Sequence, residues 1–306
     1  MKIPQALYMK TILHFSLFLL LALLFIPSAQ CFAEGPTAGE YGTVLNLSGK
    51  QRMLSQKMSK EVMLINLNFQ KDNNLNNLRA TSALFDKTLK GLRDGDESLH
   101  LPPTTSRRIL KQIDDKIQPL WIEYYGNIQA ILDAGSVSAA QLEAVAQSNL
   151  PLLKEMNKCV NLYEKDASKA GMKSDPGLAV TINLAGKQRM LSQKMSKEFL
   201  LIASNHKVEE NRLNLQETSG LFERTLTGLL DGDSTLDLPG TKDEATRAQL
   251  EKVQLLWTEF KPSVEFAIKE QGAIPEEKIA SLAKQNLLLL KEMNKAVGMY
   301  EIKASQ

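Results

Sequence analysis

"GKQRMLSQKMSKE" occupies residues 49–61, and the same thirteen residues return at 186–198. The likeness extends well beyond that string. "TSALFDKTLKGLRDGDESLHLPP" (81–103) aligns with "TSGLFERTLTGLLDGDSTLDLPG" (218–240), and "KIQPLWIEYY" (116–125) with "KVQLLWTEFK" (252–261). "NLPLLKEMNKCVNLYEKDA" (149–167) aligns with "NLLLLKEMNKAVGMYEIKA" (286–304). The offset is 137 residues and slips to 136 around the two tryptophans. The chain is therefore a tandem duplication, with copies at 36–170 and 174–306.

Each copy reads as helical. Its long segments favour Leu, Lys, Glu, Gln, Met and Ala and lack extended period-2 runs. The first copy predicts helices over 40–70, 75–93, 104–134 and 138–168, and the second over 176–206, 209–230, 242–271 and 275–304. "DGD" followed by "LPP" or "LPG" marks the break between helices two and three. Ser174-Asp175-Pro176 reads as a helix start, and Lys169–Lys173 as the polar join. The expected fold class is all-α, two tandem antiparallel four-helix bundles. Asp94-Gly95-Asp96 and Asp231-Gly232-Asp233 lack the further oxygen ligands of a calcium loop and read as turns. Trp121 and Trp257 read as core aromatics, and Pro119, Pro151 and Pro262 as tolerated kinks within helices.

Residues 1–33 carry Lys2 and Lys10, an apolar run from Ile12 to Ile26, and Cys31-Phe32-Ala33 as a small-x-small cleavage site. That is the pattern of a secretory signal peptide, and the run is short for a membrane span. A periplasmic protein whose mature chain does not span the membrane is expected. Cleavage removes two Lys from the 37 basic residues and none of the 35 acids, leaving no net charge. No basic field remains to attract nucleic acid. The mature chain keeps one cysteine, Cys159, whose counterpart Ala296 marks it as a small buried residue. His100 and His206 stand in no metal-ligand spacing, and no nucleophile–base set or phosphate loop is present. No enzyme, metal or cofactor is expected.

On a helical projection Val44, Leu47, Leu54, Met58, Val62 and Ile65 form a bundle-facing stripe. Nearly opposite lie Leu45, Gly49, Arg52, Gln56, Ser59 and Met63; the second copy has Ile182, Gly186, Arg189, Gln193, Ser196 and Leu200 there. Asn46, Lys50, Lys57 and Glu61 read as a solvated flank. A helix with two faces turned from solvent touches two things: its own bundle, and a second partner for which its own copy is a candidate. Gly49 permits close backbone approach. If the copies pack through their first helices, Arg52 and Arg189 face each other. At about 7 Å and an effective dielectric near 20 the repulsion is roughly 2 kcal/mol. A bound anion reverses its sign, and paired guanidiniums suit a small planar oxyanion.

"LNLSGKQRMLSQKMSKE" (45–61) and "INLAGKQRMLSQKMSKE" (182–198) resemble the first helix of the type IV pili methyl-accepting chemotaxis transducer N-terminal domain, a family that includes the sensor domains of nitrate/nitrite sensor kinases. The resemblance implies an antiparallel bundle on the periplasmic side. In the nitrate branch it implies an anion held between two first helices. Carried over, Arg52 and Arg189 clamp a small inorganic anion, nitrate or nitrite, Gly49 and Gly186 give close backbone approach, and Met53 and Met190 wall the pocket. The sequence ends at Gln306, so a separate membrane-bound sensor or chemotaxis transducer is the expected partner. The alternative is a ligand-free adaptor bundle that packs on a pilus or chemoreceptor component.

Overall fold

The computed structural model describes residues 36–169, 172 and 175–306. Thr37 opens the first helix with a capping box: its hydroxyl accepts from the Glu40 amide at 3.2 Å, and the Glu40 carboxylate accepts from the Thr37 amide at 2.7 Å. Helix α1 then runs Ala38–Asn66. It stops short of the expected residue 70 although no Gly or Pro intervenes. Asn68 and Gln70 adopt left-handed backbone (φ 54° and 43°), and the Phe69 amide turns back to the Leu64 carbonyl. Asn205 and Lys207 repeat this stop in the second copy, with the same φ values of 54° and 43°.

The first copy continues with α2 (Lys71–Asp94), α3 (Arg107–Gln112), a π-helical turn (Ile113–Ile117), α4 (Gln118–Ala134) and α5 (Ala139–Lys169). The second has α6 (Pro176–Ala203), α7 (Val208–Asp231), α8 (Glu244–Lys269) and α9 (Glu276–Ala304). Because α3, the π turn and α4 follow without a break, each copy has four rods. The described residues contain no strand, only the isolated bridges Asp96–Leu101 and Asp233–Leu238. The all-α expectation holds. Asp175 caps α6 by accepting from the Leu178 amide at 3.2 Å. Residues 1–33, the expected signal peptide, lie outside the described residues, as do Ser174 and most of the join.

The slip in the repeat offset has a structural cause. Gln112 matches Gln249 at the longer offset and Ile117 matches Val253 at the shorter one. The one residue extra in the first copy is absorbed by the π-helical turn between them, where α8 is continuous. A π bulge is the way a helix takes up one inserted residue. Pro119 lies two residues beyond its end; its counterpart in the regular helix is Leu255. The "DGD" sequences are turns, as expected. Gly95 and Gly232 end α2 and α7 at φ 87° and 97°, and Asp96 and Asp233 accept from amides of the following turn. No cluster of metal-ligating side chains occurs among the described residues.

Helices α1 and α6 form the centre of the molecule and touch each other more than any other pair. They run parallel: Gly49 meets Gly186, and further along Asn66 Nδ2 donates to Ser204 Oγ at 3.3 Å. Residues of both copies share one continuous apolar core. Trp121 and Trp257 sit in it, packed on Phe85 and Phe222 at 4.2 and 4.7 Å between ring centroids. Being covered on every side, α1 buries 20 of its 29 residues, so the solvated flank expected from projection is largely absent. Glu61 is 1% exposed, and Asn46, Lys50 and Lys57 are half-buried. Glu61 tolerates burial because Lys57 pairs with it and Thr81 Oγ1 donates to it at 3.1 Å. No described helix is long and apolar enough to cross a membrane.

Candidate functional site

The second face of α1 meets the second face of α6. A Cβ added to Gly49 would lie 3.3 Å from Arg52 Nη2, 3.6 Å from Arg189 Nη2 and 3.8 Å from the Gly186 Cα. The mirror position at Gly186 lies 3.5 Å from both Nη2 atoms. The two guanidiniums therefore converge on a bare glycine pair. Side chains there would occupy the space that the arginines fill.

Each arginine is 2% exposed and held by neutral acceptors. Arg52 Nη1 donates to Asn157 Oδ1 at 3.1 Å, and its Nη2 crosses to the Asn183 carbonyl of the second copy at 3.0 Å. Arg189 repeats this with Asn294 Oδ1 at 3.2 Å and the Asn46 carbonyl of the first copy at 2.9 Å. The Nε atom of each is buried without a partner. Carboxylates enter only indirectly: Glu164 accepts from the Asn183 amide and Glu301 from the Asn46 amide. Burial pushes Arg52 down to about 9, with the charge of Arg189 adding to it and that of Glu164 opposing. Burial likewise pushes Arg189 down to about 10 against the pull of Glu301. Half-buried Lys50 and Lys187 are depressed too, first by burial and then by Arg189 and Arg52 respectively. Four cations and two carboxylates thus surround the glycine pair, an excess of positive charge in a place poor in solvent.

A model of the PilJ family, the type IV pili methyl-accepting chemotaxis transducer N-terminal domain, matches residues 39–148 and 172–283. The chain belongs to that family. It carries the domain twice, and the family is one of non-catalytic signalling sensor domains. No curated protein matches the chain.

In this tandem PilJ chain the two first helices do pack on each other, the condition the projection left open, and Gly49, Arg52, Gly186 and Arg189 meet at their seam. Gln56 and Gln193 lie one turn further along the same faces, fully buried. Each Nε2 donates to the neighbouring serine Oγ at 3.3 Å, and each Oε1 is without a partner. Met53 and Met190 are buried at 3%, one residue past the arginines and so turned about 100° around the helix. The supporting asparagines escaped the sequence reading. Asn149 and Asn157 stand eight residues apart on α5, as Asn286 and Asn294 do on α9, matching the spacing from Arg52 to Lys60. That shared spacing on neighbouring helices was the available signal. The two lysines, Lys60 and Lys197, were missed as well and are buried in the same seam.

Proposed function

We propose that this PilJ chain is a non-enzymatic periplasmic binding protein that holds a small oxyanion, nitrate or nitrite, between Arg52 and Arg189. The carrying observation is the convergence of two buried guanidiniums, one from each copy, on Gly49 and Gly186 with only neutral groups bonded to them. Like charges at this separation repel, and an anion between them converts the repulsion to attraction. The unpartnered Nε–H groups add donors suited to a planar oxyanion. Gln56 and Gln193 close one side of the site. Because both halves are on one chain, binding needs no dimerisation, and the second half is always at high effective concentration. The bound state is read by a membrane-bound chemotaxis transducer or a pilus-associated partner.

Thermal-shift titration with nitrate, nitrite, chloride and sulfate tests this reading. Saturable stabilisation by nitrate or nitrite, lost in Arg52→Ala and in Arg189→Ala, is expected. A folded protein that responds to no anion at millimolar concentration refutes it and leaves the ligand-free adaptor.

A further inference from the structure

Eight residues beyond the arginines, about 12 Å along each helix, the same seam buries two more cations. Lys60 is 5% exposed and Lys197 4%. Each reaches across to the fourth helix of the other copy: Lys60 Nζ donates to Asn286 Oδ1 at 2.9 Å, and Lys197 Nζ to Asn149 Oδ1 at 3.2 Å. Those asparagines are fixed in turn, since Asn286 Nδ2 donates to the Ser192 carbonyl and Asn149 Nδ2 to the Ser55 carbonyl, both at 3.0 Å. An ammonium has three donors, and a single neutral acceptor holds each of these two among the described residues.

The charged neighbours are few. On its own helix Lys60 has Lys57 and Glu61, and Glu61 is already engaged by Lys57 and Thr81. Lys197 has Lys194 and Glu198, with Glu198 paired to Lys194. The fourth helices contribute neutral Asn286 and Asn149, and α6 contributes neutral Gln193, which shares the Asn286 acceptor at 2.9 Å. From α4 comes Tyr124, whose hydroxyl is tied to Ser59 Oγ at 2.8 Å and whose proton is held more tightly by burial; Phe260 takes its place in the second copy. Each half therefore has two cations and one carboxylate. Burial pushes both lysines down to about 8, against the opposing pull of Glu61 and Glu198 and with Lys57 and Lys194 adding to it.

We propose that Lys60 and Lys197 couple anion binding at the arginine pair to proton binding, so that the anion enters with protons and its affinity falls as the lysines lose theirs. This rests on the anion reading of the arginine pair. One negative charge about 12 Å away, at an effective dielectric near 20, favours each ammonium by about one pKa unit. The sign follows: a bound state that holds protons more tightly is favoured at lower pH. With two such lysines, nitrate binding near pH 8 takes up about 0.8 proton, and affinity falls about fivefold per lysine between about pH 7 and about pH 9.

Calorimetric titration of the full chain with sodium nitrate, in two buffers of different ionisation enthalpy, measures the proton count directly. Uptake near the stated value in the wild type is expected. In Lys60→Arg/Lys197→Arg, which keeps the charge, and in Lys60→Met/Lys197→Met, which removes it, nitrate still binds but the uptake disappears. Circular dichroism melts confirm folding of each variant. Nitrate binding without proton uptake in the wild type overturns the coupling while leaving the anion site standing. Undiminished uptake in both folded variants overturns it as well and assigns the protons elsewhere. No nitrate binding at any pH removes this inference together with the function on which it rests.

Discussion

Arg52→Met is expected to make the nitrate-free protein more stable, against the usual result of removing a buried charged side chain. Burial and Arg189 together lower the guanidinium of Arg52 from 12.5 to about 9. At 1.36 kcal/mol per unit, that depression corresponds to about 5 kcal/mol by which the folded state disfavours the charge. Methionine fills most of the same volume without it. The loss is two hydrogen bonds, to Asn157 Oδ1 and to the Asn183 carbonyl. Asn157 is only half-buried and can turn to water, and Asn183 lies within α6, so each lost bond costs about 1 kcal/mol. The balance favours the variant by about 3 kcal/mol, a rise in Tm of about 6–12 °C for a chain of this size. Thermal denaturation in nitrate-free buffer, followed by circular dichroism, reads this directly, and the same variant is expected to lose its response to added nitrate. A guanidinium compensated inside the protein behaves differently: breaking a buried pair costs about 3–5 kcal/mol. A Tm lowered by about 6 °C or more would show that the asparagines compensate the charge fully, and the argument for an anion between the arginines would fail with it.

Gly49→Ala places a methyl 3.3 Å from Arg52 Nη2 and 3.8 Å from the Gly186 Cα; nitrate affinity is expected to fall about tenfold, the effect of about 1.4 kcal/mol, and an unchanged titration curve refutes the close-approach role. Glu292 is buried and held down at about 2 by the Gln249 amide, then by Lys295 and Lys252. A depressed carboxylate stabilises the fold above its ordinary value of 4.5 and loses that contribution as pH falls towards about 2. Glu292→Gln is therefore expected to flatten the fall of Tm over that acid range, and a parallel fall in both proteins refutes the assignment. Deleting exposed Asp115 should turn the π-helical turn into regular helix, as in α8, but would leave Pro119 inside it. The deletion alone is expected to cost about 3 kcal/mol, most of it recovered by adding Pro119→Leu; equal melting of the two variants refutes the compensation.

The fold was legible because duplication supplied each reading twice. Helix starts, the "DGD" turns and the apolar stripe of α1 all came from local chemistry. The end of α1 did not, because Asn68 and Gln70 accept left-handed backbone without any Gly or Pro to announce it. The arginine–glycine face was legible from periodicity, since a face that is neither apolar nor charged needs a second partner. Glu61 was misread for the opposite reason. Projection assigns a carboxylate to solvent, and only the packing of α2 and the reach of Lys57 provide it with partners indoors. Lys60 was invisible for a related cause: its acceptor, Asn286, lies 226 residues away on a helix of the other copy.

The cross-copy bonds account for what an identical string in both copies does. Arg52 of the first string bonds a carbonyl of α6, and Arg189 of the second bonds a carbonyl of α1. Lys60 reaches α9 and Lys197 reaches α5. Each string thus builds half of its partner's environment, and the seam is closed only when both halves have the same shape and charge. A change in one string, such as Gly49→Ala, alters contacts made by Arg52 and Arg189 alike. The same substitution at Gly186 should therefore have nearly the same effect on anion affinity, and the double variant should fall short of the two effects added, because both methyls compete for one space. Strict additivity in a double-mutant cycle on nitrate affinity would mean two independent half-sites, and a single shared site would have to be given up.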